Sequence, residues 1–222
     1  MITYAMKSHQ EFEIIKEFER NNQNIFTDGE PFNRYRSKKI IYRSNEHLAI
    51  LKERFLNDRP LAKENKTQDK NKKSVIPDSA IYEYIKEKHN FDDENILLVR
   101  DHHNMAMDAE NRFGYYLEEF IYNNIKKKNW IWCTGSILRG IDFIKKDTKN
   151  KNEPWIMLQI KNSDNSENSS SNKIRKGTNI KKWFRRFSMR NDTNWDKLID
   201  ITSCNDLSED SFLKFLRIKA KT

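Results

Sequence analysis

Three side chains between residues 142 and 161 are of the types that bind a metal ion and activate a water molecule. Asp142 supplies a carboxylate, Gln159 an amide oxygen and Lys161 an ammonium group. Residues two apart on a strand project from the same face, so a strand over 155–161 places Gln159 and Lys161 side by side. If the strand that carries Asp142 pairs with it, Asp142 and Gln159 could hold a hard cation such as Mg²⁺ beside the lysine. The spacing therefore predicts a catalytic metal site.

A short D…QxK string also arises by chance, and strands often carry an outward-pointing lysine. The neighbouring residues favour the functional interpretation. Asp142 lies between Ile141 and Phe143, and the strand that leads to Lys161 is rich in apolar residues. A buried acid needs a partner, and either a metal ion or a lysine would supply one.

The elements that position these residues follow the order of a long helix and then a meander of three strands. Apolar periodicity assigns the elements, and three glutamates of the long helix, Glu110, Glu118 and Glu119, are candidates for a fourth member of the metal site. The pattern predicts an α+β fold with a mixed central sheet flanked by helices. The predicted helices cover 8–25, 45–56, 77–91, 94–104, 104–127, 179–189 and 208–220, and the predicted strands cover 130–136, 141–146, 155–161 and 196–202.

The bulk composition bounds the class of protein. The chain has 222 residues, 36% hydrophobic and 34% charged, with a net charge of +9. This charge favours a polyanionic partner, nucleic acid before an anionic membrane.

Several sequence patterns are absent. The two cysteines of the chain make no disulfide or zinc pattern, and no apolar run approaches the roughly 18 residues of a membrane helix. The N-terminus lacks the apolar core of a signal peptide, so we expect a cytoplasmic protein without a membrane partner. The phosphate-binding patterns GxGxxG and GxxxxGK[ST] are absent, which argues against nucleotide-driven chemistry.

The chain divides by composition into a helical N-terminal region, residues 1–75, and a core, residues 76–222. Residues 62–74 carry only one apolar side chain, Ala62, which predicts a mobile loop. The basic segment over 34–43 could contact DNA phosphates, and a solvated surface would explain it equally well.

The segment over 162–179 leaves directly from the predicted metal strand and is polar throughout. Its composition is also that of a flexible linker, but asparagine, serine and arginine are the types that contact bases and phosphates. Residues 168–191 hold eight basic side chains and no acid, which is too one-sided for a salt-bridged surface helix. Trp183, Phe184 and Phe187 share a predicted helical face and are interpreted as core. The candidate DNA contacts are Asn162, Ser163, Asp164, Asn165, Asn168, Ser169, Ser170, Lys173, Arg175, Lys176, Lys181, Lys182 and Arg185.

The run LQIKNSDNSENSSSNKIRKGTNIKKWFRRFS, residues 158–188, resembles the SinI-type restriction endonucleases. AENRFGYYLEEFI (109–121) and WIWCTGSILRGIDFI (130–144) are similar to the same family. The resemblance implies a PD-(D/E)XK-like core and a type II restriction endonuclease that cuts duplex DNA with Mg²⁺, at GG(A/T)CC in members of the family. It implies that Asp142 binds the metal and that Lys161 positions or polarises the attacking water. Gln159 stands where the broader superfamily often has an acid, so the site could borrow Glu110 or Glu118.

A palindromic or pseudo-palindromic target favours a homodimer in which each subunit cuts one strand, and a cognate DNA methyltransferase would be the genetic partner. Two other classes stay open. A DNA-binding module without catalysis would explain the charge, and a repair nickase or junction resolvase would use the same core. His102 and His103 with Asn104 could suggest an HNH-type nuclease, but the ββα framing of that class is not visible.

Overall fold

The computed structural model describes residues 2–34, 40–60, 78–150, 154–165 and 169–221. The predicted mobile loop over 62–74, residues 35–39 of the basic segment over 34–43 and the candidate contact Asn168 lie outside these ranges. The described helices are α1 (Ile2–Asn21), α2 (Asn45–Asn57), α3 (Ser79–His89), α4 (Asp93–Ile125), α5 (Ser169–Arg175), α6 (Trp195–Thr202) and α7 (Glu209–Lys219). The described strands are β1 (Ile131–Trp132), β2 (Phe143–Lys146), β3 (Trp155–Ser163) and β4 (Lys181–Arg186).

Side-chain caps begin the three helices whose predicted bounds agree best with the structure. Ser44 accepts a hydrogen bond from the backbone N–H of His47 at the start of α2. Asp78 caps α3 and Ser208 caps α7 in the same way. Each cap satisfies a backbone donor that has no partner within its own helix. The predictions for 45–56, 77–91 and 208–220 are confirmed.

The described strands form one mixed sheet in the order β1-β2-β3-β4, which confirms the predicted α+β class. The pairs β1–β2 and β2–β3 are antiparallel, while β4 runs parallel to β3. A parallel neighbour needs a crossover connection rather than a tight turn. The short helix α5, inside the predicted polar loop, lies on that crossover.

Two predicted elements are wrong: a segment predicted as a helix is a strand, and a segment predicted as a strand is a helix. The predicted helix over 179–189 is the strand β4, in which Trp183 and Arg185 are buried two residues apart. The predicted strand over 196–202 is the helix α6, with Trp195, Leu198 and Thr202 buried at helical spacing. The apolar residues of both segments fit either period, and pairing with β3 decides for the strand at 181–186.

The chain has two compact units. The first consists of Met1–Asn65 and Leu117–Thr222, and the second of Lys66–Tyr116. The sequence placed its boundary after residue 75, between a helical region and a core. The segments predicted separately over 94–104 and 104–127 belong to the single helix α4, which ends at Ile125 and is followed by a 3-10 turn over Lys126–Lys128. No residue between 78 and 116 whose burial is described is buried.

The first unit contains the hydrophobic core. Apolar side chains of α1 and α2, among them Phe12 and Phe55, pack with strand residues such as Ile144 and Met157. A second aromatic group joins α4, β4, α6 and α7, with the rings of Trp183 and Trp195 5.1 Å apart. Within the described ranges, every helix is too short or too polar to cross a bilayer.

Candidate active site

Asp142 lies directly before β2 and is tied to β3 by two hydrogen bonds. Its backbone N–H donates to the carbonyl of Leu158 at 2.9 Å, and its Oδ2 accepts from the backbone N–H of Ile160 at 2.6 Å. Phe143 pairs with Leu158 in the antiparallel register, so Asp142 comes opposite Gln159. The strand pairing thus brings together the two predicted metal ligands.

Gln159 is 3% exposed, and its Oε1 has no hydrogen-bond partner among the described residues. A buried acceptor left without a partner costs about 1–3 kcal/mol. Gly140, at φ +66°, lies next to the amide: a Cβ there would come 3.4 Å from Nε2 of Gln159 and 3.1 Å from Ile174 of α5. The absence of a side chain at Gly140 therefore leaves room for α5 to pack close to the Gln159 amide.

Glu118 joins this site from α4. Its Oε2 accepts a hydrogen bond from the indole N–H of Trp132 at 2.7 Å. Burial raises the pKa of Glu118 well above its usual value, and the negative charge of Asp142 raises it further. The Trp132 hydrogen bond and the ammonium group of Lys161 act in the opposite direction.

At Asp142, as at Glu118, burial raises the pKa more than the nearby donors lower it. Burial raises its pKa to about 6, although the Ile160 N–H and the charge of Lys161 both favour the ionised form. Lys161 is half-buried on β3 and interacts electrostatically with both acids. One lysine does not offset the desolvation of two neighbouring carboxylates, so without a metal ion they hold protons more tightly than usual, and a bound cation would take the place of those protons.

The donor set of this site fits a hard divalent cation. Carboxylate and amide oxygens are the ligands that Mg²⁺ and Ca²⁺ prefer, and the unpartnered Oε1 of Gln159 is an acceptor that such an ion would satisfy. In the ranges that the structure describes, no three His, Cys, Asp or Glu side chains form a metal-binding group. A site with three protein oxygens here therefore includes the amide of Gln159 beside Asp142 and Glu118.

The other glutamates of α4 lie elsewhere. Glu119 is buried and bonds to the ammonium group of Lys219 at 2.7 Å. Glu110 is exposed in the second unit, and its catalytic role stays a prediction. Of the helix glutamates singled out in the sequence, Glu118 is the one that the structure brings to Asp142.

Asp164, directly after β3, is hydrogen-bonded to residues at and after the end of β4. Its Oδ1 accepts from the backbone N–H of Ser188 at 2.8 Å, and its own N–H donates to the carbonyl of Arg186 at 3.2 Å. The contact with Ser188 lowers the pKa of Asp164. Ser163 donates to the side-chain oxygens of Asp164 and Asn165. Asp164 thus anchors the end of β3 to the segment after β4.

Arg185 is not on the surface with the other predicted DNA contacts. It is 8% exposed, donates to Asn162 Oδ1 at 3.0 Å and pairs with Glu209 of α7. The alternation of β4 directs it into the protein, where it joins the strand to α7. The remaining described candidates are Ser169 and Ser170 in α5, the exposed Lys173, Lys176 and Lys181, and the half-buried Arg175 and Lys182.

Two residues near the site were missed by the sequence reasoning. Trp132 holds Glu118, and Asp58, after α2, adds a negative charge that raises the pKa of Glu118. Asp58 Oδ2 accepts from the backbone N–H of Gly135 at 3.1 Å. Neither residue belongs to a spacing pattern with Asp142 or Lys161, so no sequence signal indicated them.

The family model of the SinI restriction endonuclease matches residues 2–220 of this chain. The type II restriction enzyme Eco47I of Escherichia coli is 42% identical over 144 residues, which cover 65% of this chain and 62% of the relative. The type II restriction enzyme SinI of Salmonella infantis is 41% identical over 143 residues, covering 64% and 61%. The chain thus matches less than two thirds of the length of either relative.

Proposed function

This chain belongs to the SinI restriction endonuclease family, and we propose that it is a type II site-specific endonuclease that hydrolyses phosphodiester bonds of duplex DNA. One observation carries the proposal: the buried, unpartnered Oε1 of Gln159 lies opposite Asp142, next to carboxylates that lack sufficient positive charge. An unpartnered buried acceptor beside two acids with raised pKa values is a feature that functional sites often have. The names of the two relatives support the same reaction.

Asp142, Gln159 and Glu118 are the residues that we propose hold a divalent cation, with Mg²⁺ as the physiological ion. Such an ion neutralises charge on a phosphate and lowers the pKa of a bound water. The hydrogen bond from Ile160 to Oδ2 fixes the carboxylate of Asp142. Lys161 projects from the same face of β3 as Gln159, where its ammonium group would stabilise the charge that develops on the phosphate.

The distribution of charge favours DNA binding by the first unit. The second unit, residues 66–116, holds ten acidic and eight basic side chains, a net charge of −2, although the whole chain carries +9. The first unit therefore carries +11, and phosphates are attracted to that part of the chain. We propose that Lys173, Lys176 and Lys181 contact phosphates and that the polar residues over 162–170 contact bases.

The proposed target is GG(A/T)CC, in line with the family resemblance of residues 158–188. A pseudo-palindromic target is cut on both strands by two copies related by a twofold axis. We therefore propose a homodimer as the active form, and a DNA methyltransferase of the same specificity as its genetic partner, since host DNA needs protection.

Digestion of a sequenced plasmid tests this function. With Mg²⁺ the protein should produce discrete fragments whose mapped ends share one short sequence, and chelation of the metal should stop cleavage. Asp142→Ala should abolish cleavage while a mobility shift on the same DNA persists.

The competing classes give different outcomes in the same experiment. Intact DNA with a mobility shift would indicate a DNA-binding module without catalysis. Cuts that depend on nicks, mismatches or junctions, and not on sequence, would indicate a repair nickase or resolvase. Full activity of Asp142→Ala would remove the proposed mechanism.

A further inference from the structure

We propose that Trp132 is a positioning residue for the metal site, because its indole N–H holds the carboxylate of Glu118 in the orientation that binds the cation. This inference rests on the proposed function, since it assigns a second layer of residues to the proposed Mg²⁺ site. Trp132 itself touches neither the cation nor the DNA.

The Trp132 ring is fixed on both sides. It is completely buried, lies 6.3 Å from the Phe143 ring at an interplanar angle of 21°, and lies 5.6 Å from the Tyr122 ring. The Tyr122 hydroxyl donates to Glu11 at 2.8 Å, and Glu11 is paired with Arg59 at 2.6 Å. A ring held in this way presents its N–H in one direction only.

The glutamate that receives this bond has three rotatable side-chain bonds and would otherwise have several orientations. The indole N–H bonds to Oε2 at 2.7 Å, which leaves Oε1 as the oxygen for a cation. An outer group that orients a metal ligand in this way changes metal affinity by about 10- to 100-fold when it is removed. The effect should therefore be large enough to measure by metal titration.

Other tryptophans show that the bond to Glu118 is not a general requirement of a buried indole here. Trp130 and Trp155 are also buried, yet their indole N–H groups have no partner among the described residues. This chain thus tolerates unpaired buried indoles. Trp183 and Trp195 do pair, with the carbonyl of Asn194 and with Glu209, and among the three paired indoles Trp132 is the one whose acceptor lies beside the candidate site. Trp130 and Trp155 provide matched controls.

The test is a double-mutant cycle on Mg²⁺ affinity, measured by calorimetric titration of the full chain without DNA. Trp132→Phe should weaken Mg²⁺ binding about 10- to 100-fold, while Trp130→Phe should leave it within about twofold because no hydrogen bond is lost. In a Glu118→Gln background, Trp132→Phe should have little further effect, since coupled residues are non-additive.

A second variant separates the hydrogen bond from ring packing. Trp132→3-benzothienylalanine keeps the size and shape of the indole and replaces only the N–H, so it applies even where Trp132→Phe does not fold. It should reproduce the loss of Mg²⁺ affinity with an unchanged thermal unfolding midpoint. In plasmid cleavage, both variants should shift the Mg²⁺ requirement upward and recover most of the rate at saturating Mg²⁺.

Several outcomes would overturn the positioning role. These are unchanged Mg²⁺ affinity in a folded Trp132 variant, an equal loss with and without the Glu118 carboxylate, or no Mg²⁺ binding by the wild-type chain. The proposed function fails separately. A chain that binds Mg²⁺ through coupled Trp132 and Glu118 but leaves all DNA intact would retain the positioning role and lose the endonuclease assignment.

Discussion

The first unit has two groups of carboxylates with limited exposure, the buried Glu11 and the half-buried pair Asp142 and Glu118, and they are compensated to very different extents. Glu11 bonds through one oxygen to Arg59 and through the other to the Tyr122 hydroxyl. Among the described residues, Lys161 is the lysine that acts on both Asp142 and Glu118, and burial raises the pKa of both acids. The same residue type thus stabilises the fold in one place and creates unmet charge in the other.

The contrast shows how a structural acid differs from a functional one. A buried carboxylate with its own guanidinium is compensated within the chain, as Glu11 is by Arg59. A pair of carboxylates with excess negative charge lowers stability unless a cation arrives, and such sites are found where ligands bind. The rings of Tyr122 and Trp132 are in contact, so the satisfied group also supports the unsatisfied one.

The largest change in stability should follow the removal of the guanidinium from the satisfied group. Arg59→Ala leaves Glu11 buried and unpaired, which should lower the free energy of unfolding by about 3–5 kcal/mol. Denaturant unfolding measures this loss. Arg217→Ala, on the exposed side of α7, is the control and should change little. A loss below about 1 kcal/mol for Arg59→Ala would contradict a structural role for the Glu11 group.

Removal of Lys161, the lysine beside Asp142 and Glu118, should reduce activity more than stability. Lys161→Ala should reduce plasmid cleavage about 10²- to 10³-fold, because a charge that stabilises the transition state is lost. Its unfolding midpoint should fall by less than that of Arg59→Ala, because the two acids left behind can take up protons. The exposed Lys214 provides the matched control, Lys214→Ala, with activity unchanged. Normal cleavage by Lys161→Ala would contradict the functional role of this group, since the site would then not need the ammonium group of Lys161.

The raised pKa of Asp142 predicts a pH effect on the metal-free protein. The folded state holds this proton to about pH 6, more tightly than the unfolded chain, so the free energy of unfolding should fall as the pH rises from about 4 to 6. Asp142→Asn keeps an acceptor for the Ile160 N–H and removes the charge. It should raise stability by about 1–3 kcal/mol above pH 7.

Thermal unfolding of Asp142→Asn and the wild type across this pH range measures the effect. Added Mg²⁺ should stabilise the wild type and leave Asp142→Asn nearly unchanged. A variant that is less stable than the wild type at every pH would mean that the Asp142 charge is satisfied within the chain, as that of Glu11 is.

The smallest effect concerns the neighbour of Glu118. Glu119 already has a partner, so Lys219→Met should cost about 1–2 kcal/mol of stability through the lost charged hydrogen bond. Mg²⁺ affinity should remain that of the wild type, because Glu119 belongs to the satisfied class. Calorimetric titration and denaturant unfolding of this variant give both values. Weaker Mg²⁺ binding would show that the two adjacent glutamates act together.

Local sequence was sufficient for the elements whose ends carry their own signals. The helices α2, α3 and α7, which apolar periodicity predicted, begin at the side-chain caps Ser44, Asp78 and Ser208, and a cap acts on the backbone within three residues. Local sequence was insufficient to decide between helix and strand for Lys181–Arg186 and Trp195–Thr202. The aromatic residues of these segments fit both periods, and the parallel pairing with β3 over the α5 crossover decided between them.

The candidate site also has features that follow from local sequence and features that follow from tertiary packing. The sequence by itself determined that Gln159 and Lys161 share a face of one strand, since the period of a strand is a local property. Only the tertiary structure set Asp142 opposite Gln159, through the register of β2 and β3. It also decided between Glu118 and Glu119, because adjacent helical residues point about 100° apart. Which of them meets Trp132, and which meets Lys219, depends on packing between elements far apart in the chain.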